Sequence, residues 1–361
     1  MPASAPSWRR AGRCATRRRS RPADRPGCRS TSRARGTLPT DPRTVVALSA
    51  AAALLAGGLS SLQSRANGTL AHAFASPVDA SLWSFGSGWV VLLAAVLLLP
   101  GPRRALREVA GAVGTGRLPW WQTLGGLSGG FFVAVQTTAV PVLGVALFTI
   151  AIVGGQTSNA LLVDRLGIGP AGHVPVTRGR VLAGLTTFVG VGVAASARSG
   201  SGGVDGIPLL PVALTVLAGA AIALQQALNG RVNRVSGDVV VTSTINFTWG
   251  LGLLLGWAGL LLARGGLRAP ATWDLPWWAY VGGLIGIVYV AIGAVVVHHL
   301  GVLVATLMTL TGQLVSAVLV DLLDPAARSH VGPQLLAGVA ITLAAAVGAG
   351  VAAQRTTRVA R

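Results

Sequence analysis

Uncharged amide side chains that recur in both halves of the chain are the residues best suited to contact a polar ligand. Gln63 and Asn67 stand four positions apart, which places both on one side of a helix. Gln225 and Asn229 repeat that spacing in the second half. An amide donates and accepts hydrogen bonds without bringing a net charge into an apolar environment. The pattern predicts contacts with a desolvated polar molecule, and the alternative that these amides only hold helices together stays open.

Further polar residues recur in the same way. Gln156 and Gln313 occupy matching positions in the two halves, and Asn159 follows Gln156 by one helical turn. Ser84 matches Asn246 upstream of them. We expect these residues to belong to the same binding site, with helix packing again as the alternative.

Glycine-rich runs begin a matching segment in each half. The chain reads GGLSGG at 125–130 and GGLIG at 282–286. Small residues let helix backbones approach closely, so these runs predict packing seams that also permit sliding. The seam glycines are Gly125, Gly126, Gly129, Gly282, Gly283 and Gly286.

Residue types for other chemistry are scarce. Cys14 and Cys28 are the chain's two cysteines, and both lie in the Arg-rich N-terminal segment without metal-ligand spacing. No Ser/His/Asp set and no His/Glu metal pattern is identifiable. We therefore predict no catalytic residue, metal ion or cofactor, and a protein that is not an enzyme.

The charged residues near the apolar segments are expected at membrane interfaces. Asp164 and Asp321 close matching segments, and Asp164 is expected to form an ion pair beside its neighbour Arg165. Arg65 is expected to extend outward to the surface while its aliphatic stem stays in the apolar region.

The elements that must position these residues are membrane helices. Apolar residues make up 52% of the chain and charged residues 11%, whereas soluble proteins carry about 25% charged residues. The uncharged runs approach the ~20 residues that a helix needs to cross the hydrocarbon core. We predict an all-α membrane protein with ten transmembrane helices. Its spans are 44–66, 78–99, 121–140, 143–163, 180–198, 209–229, 239–262, 277–297, 302–322 and 333–353.

The ten spans divide into two repeated units. The segment Leu118–Asp164 begins LPWW and recurs as Leu275–Asp321. The predicted organisation is a disordered, Arg-rich cytoplasmic tail at 1–43, five-helix repeats at 44–200 and 201–353, and a cytoplasmic C-terminal tail at 354–361.

The distribution of arginine predicts how the repeats are oriented. Twelve of the 29 basic residues lie in the tail at 1–43, so the formal charge of +19 is not taken as a sign of nucleic-acid binding. Of the arginines, 24 fall on the side of the termini and five on the other. The positive-inside rule then predicts cytoplasmic termini.

Because five is odd, the second repeat enters the membrane from the opposite side. Inverted repeats are the architecture of secondary transporters, with the binding site near the midplane between the repeats. We expect alternating access of a small polar or amphipathic solute across the cytoplasmic (inner) membrane.

The order of these motifs resembles the YdcZ-type family of the drug/metabolite transporter superfamily. The segments that carry the resemblance are Gln63–Gly68, Trp120–Val133, Gln156–Asp164, Gln225–Gly230, Trp277–Val290 and Gln313–Asp321. The resemblance implies an EamA-like fold of two fused five-helix units that transports small metabolites or drugs. The superfamily's small multidrug members use an intramembrane Glu for proton exchange, and this chain has no such Glu.

The partners implied are a small-molecule solute and the lipid bilayer, and a homodimer is left open. Three alternatives remain at this stage: a non-transporting partner or regulatory subunit, a flippase for lipid-linked substrates, and a membrane enzyme.

Overall fold

The computed structural model describes residues 42–169, 172–173, 175–196, 208–266, 269–325 and 327–359. The predicted N-terminal tail lies outside these ranges except for positions 42 and 43, where the first helix has already begun. All regular structure in the described ranges is helical. The helices are α1 (Pro42–Phe74), α2 (Pro77–Leu98), α3 (Pro100–Gly114), α4 (Gly125–Arg165), α5 (Arg178–Ser196), α6 (Leu209–Ser236), α7 (Val239–Ala263), α8 (Gly282–Leu323) and α9 (Pro333–Val359).

The helical content and its hydropathy confirm an all-α membrane protein. Within the described ranges, seven helices are long and apolar enough to cross a bilayer, and two shorter apolar helices cover Trp277–Ile292 and Pro333–Gly348. One of the seven covers Trp120–Arg165, 46 residues in all. A straight helix of that length would measure roughly 70 Å, more than twice the ~30 Å hydrocarbon core.

The long helix is broken at Gly144. This residue has φ 73° and ψ 170°, a conformation open to glycine because it has no Cβ. The sequence predicts a turn at 141–142, and the structure places it two residues later, with Pro141 still inside the first half. α4 is therefore a pair of helices, at 125–143 and 145–165.

The first half of α4 runs antiparallel to α6. A Cβ on Gly125 would lie 2.7 Å from the Oδ1 atom of Asn229, and a Cβ on Gly129 would lie 3.1 Å from the Nε2 atom of Gln225. As residue numbers increase along α4, the residue numbers of the contacts on α6 decrease.

The second half of α4 runs parallel to α6. Gly155 packs against the backbone of Val216, and Asn159 donates to the carbonyl of Ala220, at 2.7 Å. Here the residue numbers of the contacts increase along both helices. The two halves of α4 therefore pack on the same helix, α6, and run in opposite directions along it.

α8 packs on α1 in the same way. Gly282 faces Asn67 and Gly286 faces Gln63, which is antiparallel. Further on, Gly312 packs against Leu54, and Asp324, beyond the end of α8, is ion-paired with Arg65. That order is parallel, so the chain reverses within α8 as it does within α4.

Each repeat packs chiefly against the other repeat. The most extensive helix contacts are those of α1 with α8, α4 with α6 and α5 with α9. Phe85 of α2 and Phe247 of α7, which are matching residues, stack with ring centroids 4.7 Å apart. These helix pairs, each with one member from either repeat, join the two repeats into one bundle.

Several elements differ from the predicted spans. α1 continues to Phe74, well past the predicted end at 66, and α9 continues to Val359, so the predicted tail at 354–361 is largely helical. Short 3₁₀ helices at Trp120–Leu124 and Trp277–Val281 precede α4 and α8 at the two LPWW motifs. α3 lies in a segment that was predicted as a loop.

Candidate functional site

A cavity of about 260 Å³ lies where the two repeats meet. Four pairs of matching residues line it, one member of each pair from either repeat. They are Gln156 and Gln313, Phe132 and Tyr289, Ile152 and Thr309, and Ser60 and Ile222. Equivalent positions of the two repeats therefore line this cavity together.

The lining of this central cavity is neutral and hydrogen-bonding. Gln156 donates from Nε2 to Oε1 of Gln226, at 3.0 Å. Gln226 has Ser64 as its counterpart and was therefore not singled out among the repeated amides. Ser60, Tyr289, Thr306 and Thr309 add hydroxyl groups to the lining. None of the described lining residues is charged. Such a lining matches a neutral polar or amphipathic molecule.

Four of the predicted site residues lie in the glycine seams instead. A Cβ on Gly282 would overlap the Oδ1 atom of Asn67, and a Cβ on Gly286 would lie 2.8 Å from Nε2 of Gln63. Asn229 and Gln225 of the second repeat make the matching contacts with Gly125 and Gly129 of the first. None of the four amides lines the central cavity.

The seam amides also bond to other side chains. Asn67 donates to Oε1 of Gln136 at 2.6 Å, and Gln136 donates to Ser64 at 2.8 Å. In the second repeat Gln225 and Asn229 donate to Oδ1 of Asn246, at 3.0 and 3.2 Å. The sequence analysis did not select Gln136, because its counterpart is Gly293 and it is therefore not a repeated amide.

Ser84 contributes its backbone rather than its hydroxyl. Its carbonyl oxygen packs directly on Gly283, and Gly126 packs on the matching carbonyl of Asn246. The Ser84 hydroxyl is buried without a hydrogen-bond partner.

We expect Gln136→Leu to lower stability by about 1–2 kcal/mol, since two interhelical hydrogen bonds are lost inside the bundle. Ligand binding at the central cavity should be unchanged, because Gln136 is not part of its lining. Thermal unfolding of the purified variant with and without a bound ligand measures both quantities. Loss of ligand binding at unchanged stability would show that the seam amides contact the solute.

A second cavity, of about 520 Å³, has several ionisable side chains in its lining. Arg65, His72, Asp321, Asp324 and His330 are among its lining residues. Arg65 forms an ion pair with Asp324 and keeps 33% of its side chain exposed; the sequence analysis did not predict this partner.

Asp321 is buried, with 3% of its surface exposed. Its two carboxylate oxygens accept hydrogen bonds from the backbone N–H groups of Val145 and Ala146, with N–O distances of 2.8 Å in both cases. These donors are the first of the second half of α4, just after the Gly144 break. A carboxylate at a helix N-terminus satisfies unpaired N–H groups and is stabilised by the helix dipole.

Asp164, the counterpart of Asp321, has a different environment. Its carboxylate pairs with Arg180 of α5 rather than with the adjacent Arg165, and 31% of its side chain is exposed. The sequence predicted one interfacial role for both carboxylates. Among the described contacts, Asp321 caps a helix of the other repeat, and Asp164 does not.

These paired seams and the shared cavity belong to a duplicated unit, and the comparison with known families finds the same duplication. The chain matches the family described as "Putative inner membrane exporter, YdcZ" over residues 48–193 and again over 210–348. The chain belongs to this YdcZ family. The family is one of inner-membrane transporters within the drug/metabolite superfamily and not of enzymes, and two matched segments are consistent with two fused units.

Other comparisons add little to the YdcZ assignment. No curated protein shows significant sequence similarity to the chain. A solved structure, described only as the crystal structure of a protein, aligns over 87% of this chain and 99% of its own, with 20% identity and a TM-score of 0.48.

Proposed function

We propose that this YdcZ-family chain is a secondary transporter that moves a small neutral polar or amphipathic solute by alternating access. The observation that carries the proposal is the central cavity, which matched residues from both repeats line together. Gln156, Gln226 and Gln313 would bind the solute's polar groups, and Phe132 and Tyr289 its apolar surface. The family's description as an exporter favours transport out of the cytoplasm.

The proposed topology has ten crossings in two inverted repeats. α4 and α8 each cross twice because each reverses direction along its partner helix, and the six long helices α1, α2, α5, α6, α7 and α9 cross once. The arginine distribution places both termini in the cytoplasm. One chain supplies both sides of the cavity, so a second copy is not needed to complete it.

The proposed resting conformation is closed on the cytoplasmic side. Arg231 donates to the carbonyls of Gly167, Ile168 and Gly169, at 2.8–3.1 Å, which ties the end of α6 to the end of α4. The 520 Å³ cavity at Asp321 belongs to the opposite end in this topology.

Gln313→Ala is expected to abolish ligand-induced stabilisation without changing the melting temperature of the ligand-free protein. The reason is that its amide faces the cavity, and a bound ligand stabilises in proportion to its occupancy of the native state. A thermal-shift screen of purified wild type against metabolites and drugs supplies the ligand, and reconstituted vesicles then measure its flux.

Gln334→Ala, which changes an exposed glutamine at the start of α9, is the matched control. If Gln313→Ala still binds and transports the ligand that the screen identifies, the central cavity is not the transport site.

A lipid-linked substrate is the second candidate. An apolar groove of about 300 Å³ lies between α4, α6 and α7, lined by Phe131, Leu214 and Trp257 among others. It would accommodate an acyl or prenyl chain whose head group enters the central cavity. Transbilayer movement of a labelled lipid in reconstituted vesicles separates this candidate from transport of a free solute.

A further inference from the structure

α3 is a helix with two sharply different faces. Its buried residues Pro102, Ala105, Val109 and Ala112 recur at helical spacing. Ala105, Val109 and Ala112 pack in one cluster with residues from the end of α2, the end of α6 and the start of α7. α3 therefore lies across the ends of these three helices, where the chain leaves the apolar region.

The outward face of α3 is cationic. Arg103, Arg104 and Arg107 are exposed and lie within about one turn of each other, with Glu108 as the acidic residue of this helix. Neither ion pair found among the described residues involves α3. The three guanidinium groups are available to an external partner.

The neighbouring side chains indicate that this partner is the membrane surface. Leu106, on the same helix, is 37% exposed, and Trp120 and Trp121, just beyond it, are 64% and 43% exposed. Exposed tryptophan beside exposed arginine is the pattern of segments at the lipid headgroup level. An amphipathic helix with arginines on its polar face binds anionic lipid by electrostatic attraction.

We propose that α3 is a binding surface for anionic phospholipid headgroups, with Arg103, Arg104 and Arg107 contacting the phosphates. The second repeat has no matching helix in the described residues after α7, so this surface belongs to one side of the protein only. Bound headgroups would hold α3 against the ends of α2, α6 and α7.

Hydrogen exchange of the full-length protein tests this surface locally. In nanodiscs, backbone amides of residues 103–114 should exchange at least fivefold more slowly with phosphatidylglycerol than with phosphatidylcholine, since each arginine contributes roughly a fivefold factor at an anionic surface. Because the readout comes from this segment alone, arginines elsewhere in the chain do not contribute to it. R103Q/R104Q/R107Q should remove the difference.

The matched control R264Q/R268Q/R328Q removes the same charge from connections that the arginine count assigns to the other side, and it should keep the difference. Equal exchange in the two lipids would overturn the proposal, as would full protection of the α3 variant or loss of protection in the control. Soluble glycerol phosphate in phosphatidylcholine nanodiscs should not slow exchange; if it does so as well as the lipid, the surface binds a free anion instead.

Discussion

Gly155→Ala is expected to prevent α4 and α6 from packing and to lower stability by about 3 kcal/mol or more. A Cβ at this position would overlap the carbonyl oxygen of Val216 and lie 2.9 Å from the nitrogen of Ala220. Both obstacles are backbone atoms, so no rotamer change relieves them, and the helices must move apart as in other overpacked cores. Membrane abundance and thermal unfolding of the purified variant measure the loss.

Gly256→Ala is the control for this effect. It lies in α7, where an added Cβ would meet no atom within 4 Å, so the variant should match or slightly exceed wild-type stability because alanine favours helix. Equal stability of the two variants would show that α4 and α6 do not pack as closely as described.

Asp321→Ala is expected to destabilise the protein by about 2–4 kcal/mol, because two buried N–H groups lose charged acceptors. The loss should exceed that of Asp164→Ala, whose ion pair with Arg180 is partly exposed and contributes about 0–1 kcal/mol. Asp321→Asn keeps one acceptor and should fall between the two. Thermal unfolding of the three variants in one detergent gives the order.

The comparison is informative because the two aspartates occupy equivalent positions of the repeat. A stability loss for Asp164→Ala as large as that for Asp321→Ala would mean that both carboxylates cap a helix of the other repeat. The difference described between the environments of the two aspartates would then be absent in solution.

Hydrophobic run length predicted the helices well because membrane crossing imposes a nearly fixed length. It could not give helix ends. α1 continues to Phe74 beyond the apolar run, since Asn67 faces neighbouring helices and Thr69 lines the 520 Å³ cavity rather than facing lipid. α3 was missed for a related reason. Its buried face consists of proline, alanine and valine, a weak apolar signal among three arginines, although the spacing of these residues was readable.

The site was partly accessible from sequence. Repetition selected Gln156 and Gln313, which line the central cavity, and equally Gln63 and Asn67, which lie against the seam glycines. Repetition alone does not separate the two groups, because packing contacts are duplicated together with any binding contacts. Helical periodicity tells which face a residue occupies and not what that face meets. Gln226 and Gln136 have no repeated partner, so repetition does not select them.

The exchange of helices between repeats has a consequence for biosynthesis. The hydrogen bond from Ser61 to Gln313 joins residues 252 positions apart. At about 5–20 residues per second, a ribosome needs roughly 10–50 s to make the intervening chain. During that time α1 stands in the bilayer without its final neighbour, and its amides have to find temporary partners.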